Sequence, residues 1–171
     1  MDTYFTLEER YIQAVEEARY GEAAKALKLF NDLLEADPGY ARTYYQLGYI
    51  NYYYIHDYQT AGYYFNRCIE LEPHFPDVYN EFTKLLLFLN RDKHLIQIAE
   101  KALKVAGVNK CKVYKRLALM EERNLNYQAA INFYRKAFVL ATSKQKSDEI
   151  DEAINRVRRK QQQHKNFVYS I

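Results

Sequence analysis

Histidine, cysteine and tyrosine are the side chains here whose chemistry is easiest to place, and only tyrosine is concentrated. Of the 18 tyrosines in 171 residues, ten fall between Tyr40 and Tyr64. A phenol combines a large apolar face with a polar tip and few rotors to freeze, which suits it to holding another molecule. The four histidines, His56, His74, His94 and His164, are scattered over turns, helix ends and the tail. None stands at a spacing from a cysteine or carboxylate that a zinc site would need. His94 with Asp92 reads as a helix start, not as an acid–base pair. No glycine-rich loop is available to cradle phosphate. Cys68 and Cys111 do not form a framework of close pairs and read as free thiols in a reducing, cytoplasmic compartment. Neither catalysis nor a metal nor a cofactor is expected.

The elements that must carry these tyrosines follow from composition. Apolar residues make up 49% of the chain, enough for a substantial core. With 5 Gly and 3 Pro, element interiors are rarely interrupted. Runs rich in Ala, Leu, Glu, Lys and Gln favour helix, and no stretch alternates with period two as a strand would. The net charge of +3 argues against a dedicated nucleic-acid binder. No apolar run is long enough to span a membrane, and Met1-Asp2-Thr3-Tyr4 does not open a signal peptide.

Small and aromatic residues recur in three columns. Ala26, Ala61, Leu95 and Ala130 form one, Phe30, Phe65, Ala99 and Tyr134 the next, and Leu33, Cys68, Ala102 and Ala137 the third. The gaps are 35, 34 and 35 in each column, a period that marks stacked helical units. The spacing predicts paired helices at Leu7 to Arg19 and Glu22 to Glu35, Ala41 to Tyr54 and Tyr58 to Leu71, Pro76 to Leu89 and Asp92 to Ala106, Lys110 to Arg123 and Tyr127 to Ala141. Thr6 and Glu9 form a capping box ahead of the first helix. Asp37-Pro38-Gly39, Glu72-Pro73 and Gly107 close successive pairs. Gly48 to Ala61 spans 13 residues where the matching intervals span 12. The extra residue is expected in the Ile55-His56-Asp57 turn. A last helix, capped by Ser147, should lay Ile150, Ile154 and Val157 over Tyr127, Ile131 and Phe138.

These features resemble the tetratricopeptide repeat family, whose pattern runs aromatic, Leu-Gly, Ala-x3-Phe, Pro. The second unit carries Tyr44, Leu47-Gly48, Ala61, Phe65 and Pro73. The fourth carries Tyr114, Leu117-Ala118, Ala130, Tyr134 and Ala137. The first keeps Ala14, Ala26, Phe30 and Pro38. In the third, Thr83 replaces Gly, Leu95 replaces Ala and Ala99 replaces the aromatic. The resemblance implies an all-α, right-handed superhelical stack of antiparallel helix pairs. Its repeats would be 7–38, 41–73, 76–107 and 110–142, with a C-terminal capping helix over 147–165, in a single domain.

The resemblance also implies a non-enzymatic scaffold or adaptor that holds a peptide or helix of another protein in a concave groove. The first helix of each pair would line that groove. In the second unit this selects Arg42, Tyr45, Gln46, Tyr49, Tyr52 and Tyr53. Tyr45, Tyr49 and Tyr52 share one helix face, and either line the groove or pack between helices. In the third unit it selects Asp77, Asn80, Glu81, Lys84, Leu87 and Phe88. In the fourth it selects Lys112, Lys115, Arg116, Leu119 and Arg123, either a basic groove end or a solvated face. The implied partner offers hydrophobic anchors and an acidic segment. A substrate-specific chaperone of a secretion or assembly system, and a self-associating structural subunit, are the alternatives. Members that clamp a chaperone's C-terminal carboxylate use Lys and Asn where this chain has Tyr11, Val15, Gln46 and Cys111. Only Lys115 keeps the charge, so that clamp is not expected. The basic tail from Arg156 to Lys165 reads as a solvated helix end, with RNA or an anionic membrane as the alternative contacts.

Overall fold

The computed structural model describes residues 6–168. Met1-Asp2-Thr3-Tyr4, and the side chains of Lys165 and of the apolar end Asn166 to Ile171, lie outside what it describes. Among the described residues every regular element is a helix. The chain divides between Leu85 and Leu86 into two compact units.

Unit 1 holds α1 (Leu7–Tyr20), α2 (Ala23–Ala36), α3 (Ala41–Ile50), α4 (Tyr58–Leu71) and most of α5 (Pro76–Phe88). The capping box starts α1. Thr6 Oγ1 accepts the Glu9 N–H at 3.2 Å and Glu9 accepts the Thr6 N–H at 2.7 Å, so two orphan donors are satisfied. The bonds from Thr6 hold the Glu9 carboxyl below its ordinary range. Helix α2 packs on α1 and α3. Ala14, Ala26, Phe30, Leu33, Leu47 and Ile50 form the shared core. Gly48 brings α3 against α4. A Cβ there would stand 2.6 Å from two ring carbons of Phe65, itself fully buried. Thr83 occupies the matching place in α5 and buries its hydroxyl by donating to the Tyr79 carbonyl at 2.6 Å. One device recurs twice. The Tyr44 hydroxyl donates to the Pro38 carbonyl at 3.0 Å, and the Tyr79 hydroxyl to the Pro73 carbonyl at 2.7 Å. Each ties a helix to the turn that precedes it.

The extra residue of the second pair is not in the turn. Asn51–Ile55 continue α3 as a single π turn, and only His56 and Asp57 separate it from α4. His56 closes the helix in the left-handed region at φ 63°. Asp57 then caps α4 by accepting the Thr60 N–H at 3.0 Å. The wider hydrogen-bonded ring of a π turn absorbs one inserted residue without breaking the helix. The buried Asn51 amide supports it by donating to the Leu47 carbonyl at 2.8 Å.

Unit 2 holds the end of α5, α6 (Asp92–Ala102), α7 (Lys110–Arg123), α8 (Tyr127–Val139) and α9 (Lys144–Val168). Helix α6 stops short of the expected Ala106. The Lys104 and Val105 N–H groups bond only three residues back, and Gly107 turns the chain at φ 81°. Helix α9 begins before Ser147. Ser143 Oγ accepts the Lys146 N–H at 3.4 Å, while the Ser147 hydroxyl donates to the Ser143 carbonyl. Ile150, Ile154 and Val157 are buried with Ile131, Tyr134 and Ala137. Phe138 is not under α9. It follows Ala137 by one residue, about 100° further round the helix, and is 43% exposed.

One buried charge joins α7, α8 and α9. Glu122 is 7% exposed and accepts from Arg156 at 3.1 and 2.7 Å, from Lys160 at 2.8 Å and from the Tyr134 hydroxyl at 3.4 Å. Burial opposes its ionisation, but the Arg156 and Lys160 bonds outweigh burial and hold its carboxyl below the ordinary range. Burial beside that carboxylate pushes the Tyr134 phenol up to about 12.

Two outcomes test this packing. Gly48→Ala gains about 1 kcal/mol of helix propensity but drives a methyl into the Phe65 ring. Urea unfolding should show a net loss of up to about 2 kcal/mol. A variant as stable as the parent would mean that α3 and α4 separate freely. The second concerns acid. Because the folded carboxyl of Glu122 lies below its unfolded value of about 4.3, its contribution is complete above that value. It is lost as pH falls through the lower folded value. Unfolding free energy should therefore decline below about pH 4, and Glu122→Gln should remove that component of the slope.

Candidate peptide-binding groove

The tyrosine-rich stretch builds a cavity inside unit 1. Its volume is about 570 Å3, and α1, α3 and the α4–α5 turn line it. Helix α1 contributes Tyr11, Val15 and Arg19. Helix α3 contributes Arg42, Tyr45, Gln46 and Tyr49, and the π turn contributes Tyr54. Phe75 and Asp77 close one side. The Tyr45 ring meets Phe75 edge-on at 5.2 Å and lies 6.3 Å from both Tyr49 and Phe65. Tyr49 in turn lies 6.5 Å from Tyr54. The Gln46 amide donates to the Tyr11 hydroxyl at 3.2 Å, which fixes that ring across the two helices. Burial, with Glu81 and Asp77 adding to it, pushes the Tyr45 phenol well above its usual range. Burial also raises the Tyr11 phenol. Tyr11 and Tyr45 therefore present neutral phenols at any ordinary pH.

The π turn decides which tyrosines belong to it. In an unbroken α-helix Tyr45, Tyr49 and Tyr52 share a face. One extra residue in the turn shifts everything after Asn51 by one position, and Tyr54 takes the place expected for Tyr53. Tyr52 is only 9% exposed and packs on Tyr53 at 4.5 Å and Tyr58 at 5.9 Å. Tyr53 is turned toward α5. Its hydroxyl donates to Glu81 at 2.6 Å and accepts from the Lys84 ammonium at 2.7 Å. Lys84 also sits 4.7 Å over the Tyr53 ring and 5.5 Å over that of Tyr52. Burial first, then the Glu81 bond, raises the Tyr53 phenol far above its usual range. Tyr52, Tyr53 and Lys84 thus brace the π turn against α5 and do not line the cavity. Asn80 is half-buried on α5 and does not line it either.

The basic residues expected in the groove lie in unit 2 and divide. Lys112 and Lys115 line a second cavity of about 290 Å3 between α7 and the start of α9, together with Cys111, Leu140 and Lys146. Lys115 pairs with Glu149 at 3.5 Å. Arg116 is half-buried and outside that lining. Arg123 has a different role. Its guanidinium donates to the Leu87 carbonyl at 3.1 Å, to Asn90 and to Asp92, and Asn124 donates to Asp92 at 2.7 Å. It staples the end of α7 to the α5–α6 turn, because Asn90 at φ 55° presents that turn's polar groups to it. Arg156 and Lys160 of the basic tail are likewise occupied by Glu122. Among the described residues no group of three His, Cys, Asp or Glu is placed to hold a metal ion. Among those residues no helix is long and apolar enough to cross a membrane.

No family model and no curated protein matches the chain. Solved structures do. A crystal structure of MamA is 20% identical, with a TM-score of 0.71 over 79% of this chain and 78% of that one. PilF of Pseudomonas aeruginosa is 14% identical, with a TM-score of 0.74 over 92% and 69%. YrrB, described as a TPR protein with an unusual peptide-binding site, is 15% identical, with a TM-score of 0.67 over 89% and 86%. The fold is the tetratricopeptide repeat. In repeat terms, three of the positions that form a carboxylate clamp elsewhere, Tyr11, Val15 and Gln46, do line the unit 1 cavity. They bring an aromatic, an aliphatic and an amide where the clamp uses one lysine and two asparagines.

Tyr54, Phe75 and Arg19 were not foreseen as wall residues. The interval of 13 between Gly48 and Ala61 was the one available signal for Tyr54. Replacing each ring separates the roles of the π-turn tyrosines. Tyr52→Ala should cost about 2–4 kcal/mol in chemical denaturation, as a truncated core aromatic does. Tyr54→Ala, at a side 55% exposed, should stay within about 0.5 kcal/mol. The reverse order would mean that the helix runs through Asn51–Ile55 without the extra residue.

Proposed function

We propose that this protein is a non-enzymatic adaptor that holds an apolar segment of a partner protein, as a peptide or short helix, in the unit 1 groove. The observation that carries the reading is the wall of Tyr11, Tyr45, Tyr49 and Tyr54 around a cavity of about 570 Å3. Aromatic walls of this kind give large contact area at small rotameric cost. The phenolic hydroxyls supply hydrogen bonds, and Arg19, Arg42 and Asp77 supply two positive charges and one negative charge at the rim. An apolar anchor flanked by polar backbone fits this wall better than a strongly charged ligand does. The likeness to a repeat protein described by its peptide-binding site supports the same reading.

The test begins with peptides selected from a displayed random library against the wild-type chain. Calorimetric titration of the best of them into variants then reads the site. Tyr45→Ala and Tyr49→Ala should each weaken binding by about 1–3 kcal/mol, as central aromatic anchors do. Lys84→Ala, which loses a bond to Tyr53 and a cation over Tyr52 outside the cavity lining, should leave the affinity within about 0.5 kcal/mol. Selection of peptides whose affinity ignores Tyr45 and Tyr49 would remove the groove reading.

A further inference from the structure

The α8–α9 end of unit 2 combines two features that the groove does not use. The first is apolar. Phe138, Val139 and Leu140 are consecutive and 43%, 82% and 40% exposed. A Val open to that degree at a helix end, with an open neighbour on each side, leaves a bare apolar turn. The second is cationic. Leu140 also lines the cavity of about 290 Å3 that Lys112, Lys115 and Lys146 share with Glu149. Lys144 is exposed beside them at the start of α9. Arg135 and Lys136 are exposed near the end of α8. The acidic groups at this end are Glu149, which Lys115 engages at 3.5 Å, and Asp148, both exposed. The cations outnumber them. The Lys146 ammonium is held toward the turn by its bond to Thr142 Oγ1 at 3.0 Å.

We propose that this end of unit 2 is a docking site for an anionic lipid surface. The lysine-lined cavity takes a headgroup phosphate while Val139 and its neighbours enter the interfacial layer beneath it. The pairing of the two features selects this occupant. A free phosphate or a wholly acidic protein segment would satisfy the ammonium groups but would leave three apolar side chains in water. A bilayer interface offers both layers at once, phosphates outside and acyl chains a few ångström deeper. Lysine stems suit that boundary, because they lie along apolar surface and keep the charged head at phosphate level. The proposal is independent of the unit 1 groove, which shares none of these residues.

The full chain is sedimented with phosphatidylcholine vesicles, with and without phosphatidylserine. It should bind only the vesicles with phosphatidylserine, and salt should weaken the binding. Lys112→Gln and Lys146→Gln should each lower the partition coefficient roughly fivefold. Val139→Asp should lower it by about tenfold, with an unchanged melting temperature because the side chain is already in water. No binding to the anionic vesicles overturns the proposal. Binding that Val139→Asp leaves intact overturns it as well, since charge alone would then suffice. Two further arms use inorganic phosphate and a polyglutamate peptide. Saturation by either, with vesicles left unbound, makes the cavity a free-anion or protein site and overturns the lipid assignment.

Discussion

The close approach of paired helices is the contact from which the rest of this molecule follows. At the α3–α4 interface Gly48 of one helix faces the Phe65 ring of the other. Ala26, Ala61 and Ala130 are fully buried, and so are Phe30 and Phe65, with Tyr134 nearly so. Gly48 shows how little slack there is, since a single methyl would already meet the Phe65 ring. Dense interiors transmit such contacts instead of absorbing them. A residue added to one helix therefore cannot be spread over the pair. It has to appear as a local defect.

That defect is the π turn at Asn51–Ile55. The core positions before and after it, Gly48 and Ala61, are both pinned, so the extra residue is trapped between them. Moving it to the turn would have kept Tyr52 beside Tyr49. Keeping it in the helix instead rotates Tyr54 onto the cavity wall and sends Tyr52 and Tyr53 toward α5. Glu81 and Lys84 then hold the rotated rings through bonds at 2.6 and 2.7 Å to one phenol. The same insertion thus makes the wall and the brace behind it. π turns are found often at functional sites, and here the physical reason is visible in which rings face the cavity.

Much of the fold was legible in the sequence because it rests on periodicity. Columns of small and aromatic residues report helix contacts directly, and Thr6 with Glu9 reports a cap that the structure contains atom for atom. What was not legible depends on phase or on partners distant in sequence. The interval between Gly48 and Ala61 announces an insertion but is silent on its place, since turn and helix differ by a few residues only. Arg123 looks like any exposed cation in its own helix. Its role is set by Asp92 and the carbonyl of Leu87, more than thirty residues earlier. Ser147 has the right type for a cap, yet Ser143 serves, because Ile150 must face Ile131 and the helix can extend backward from there.

Charge follows the same logic as packing. The cations expected to meet a ligand are those that sequence places on helix surfaces, but several are consumed by the structure. Arg123, Arg156 and Lys160 each end on a carboxylate that another element supplies. Removing a buried carboxylate from water is costly unless its acceptor sites are filled. Glu122 needs both Arg156 and Lys160, with Tyr134, to fill them. The basic character of α9 is in that sense internal, serving the contact with α7 and α8. The charges left for outside partners are those with no carboxylate aimed at them. In unit 2 that difference separates Lys112 and Lys146, which border a cavity beside bare apolar side chains, from the arginines that resemble them in sequence.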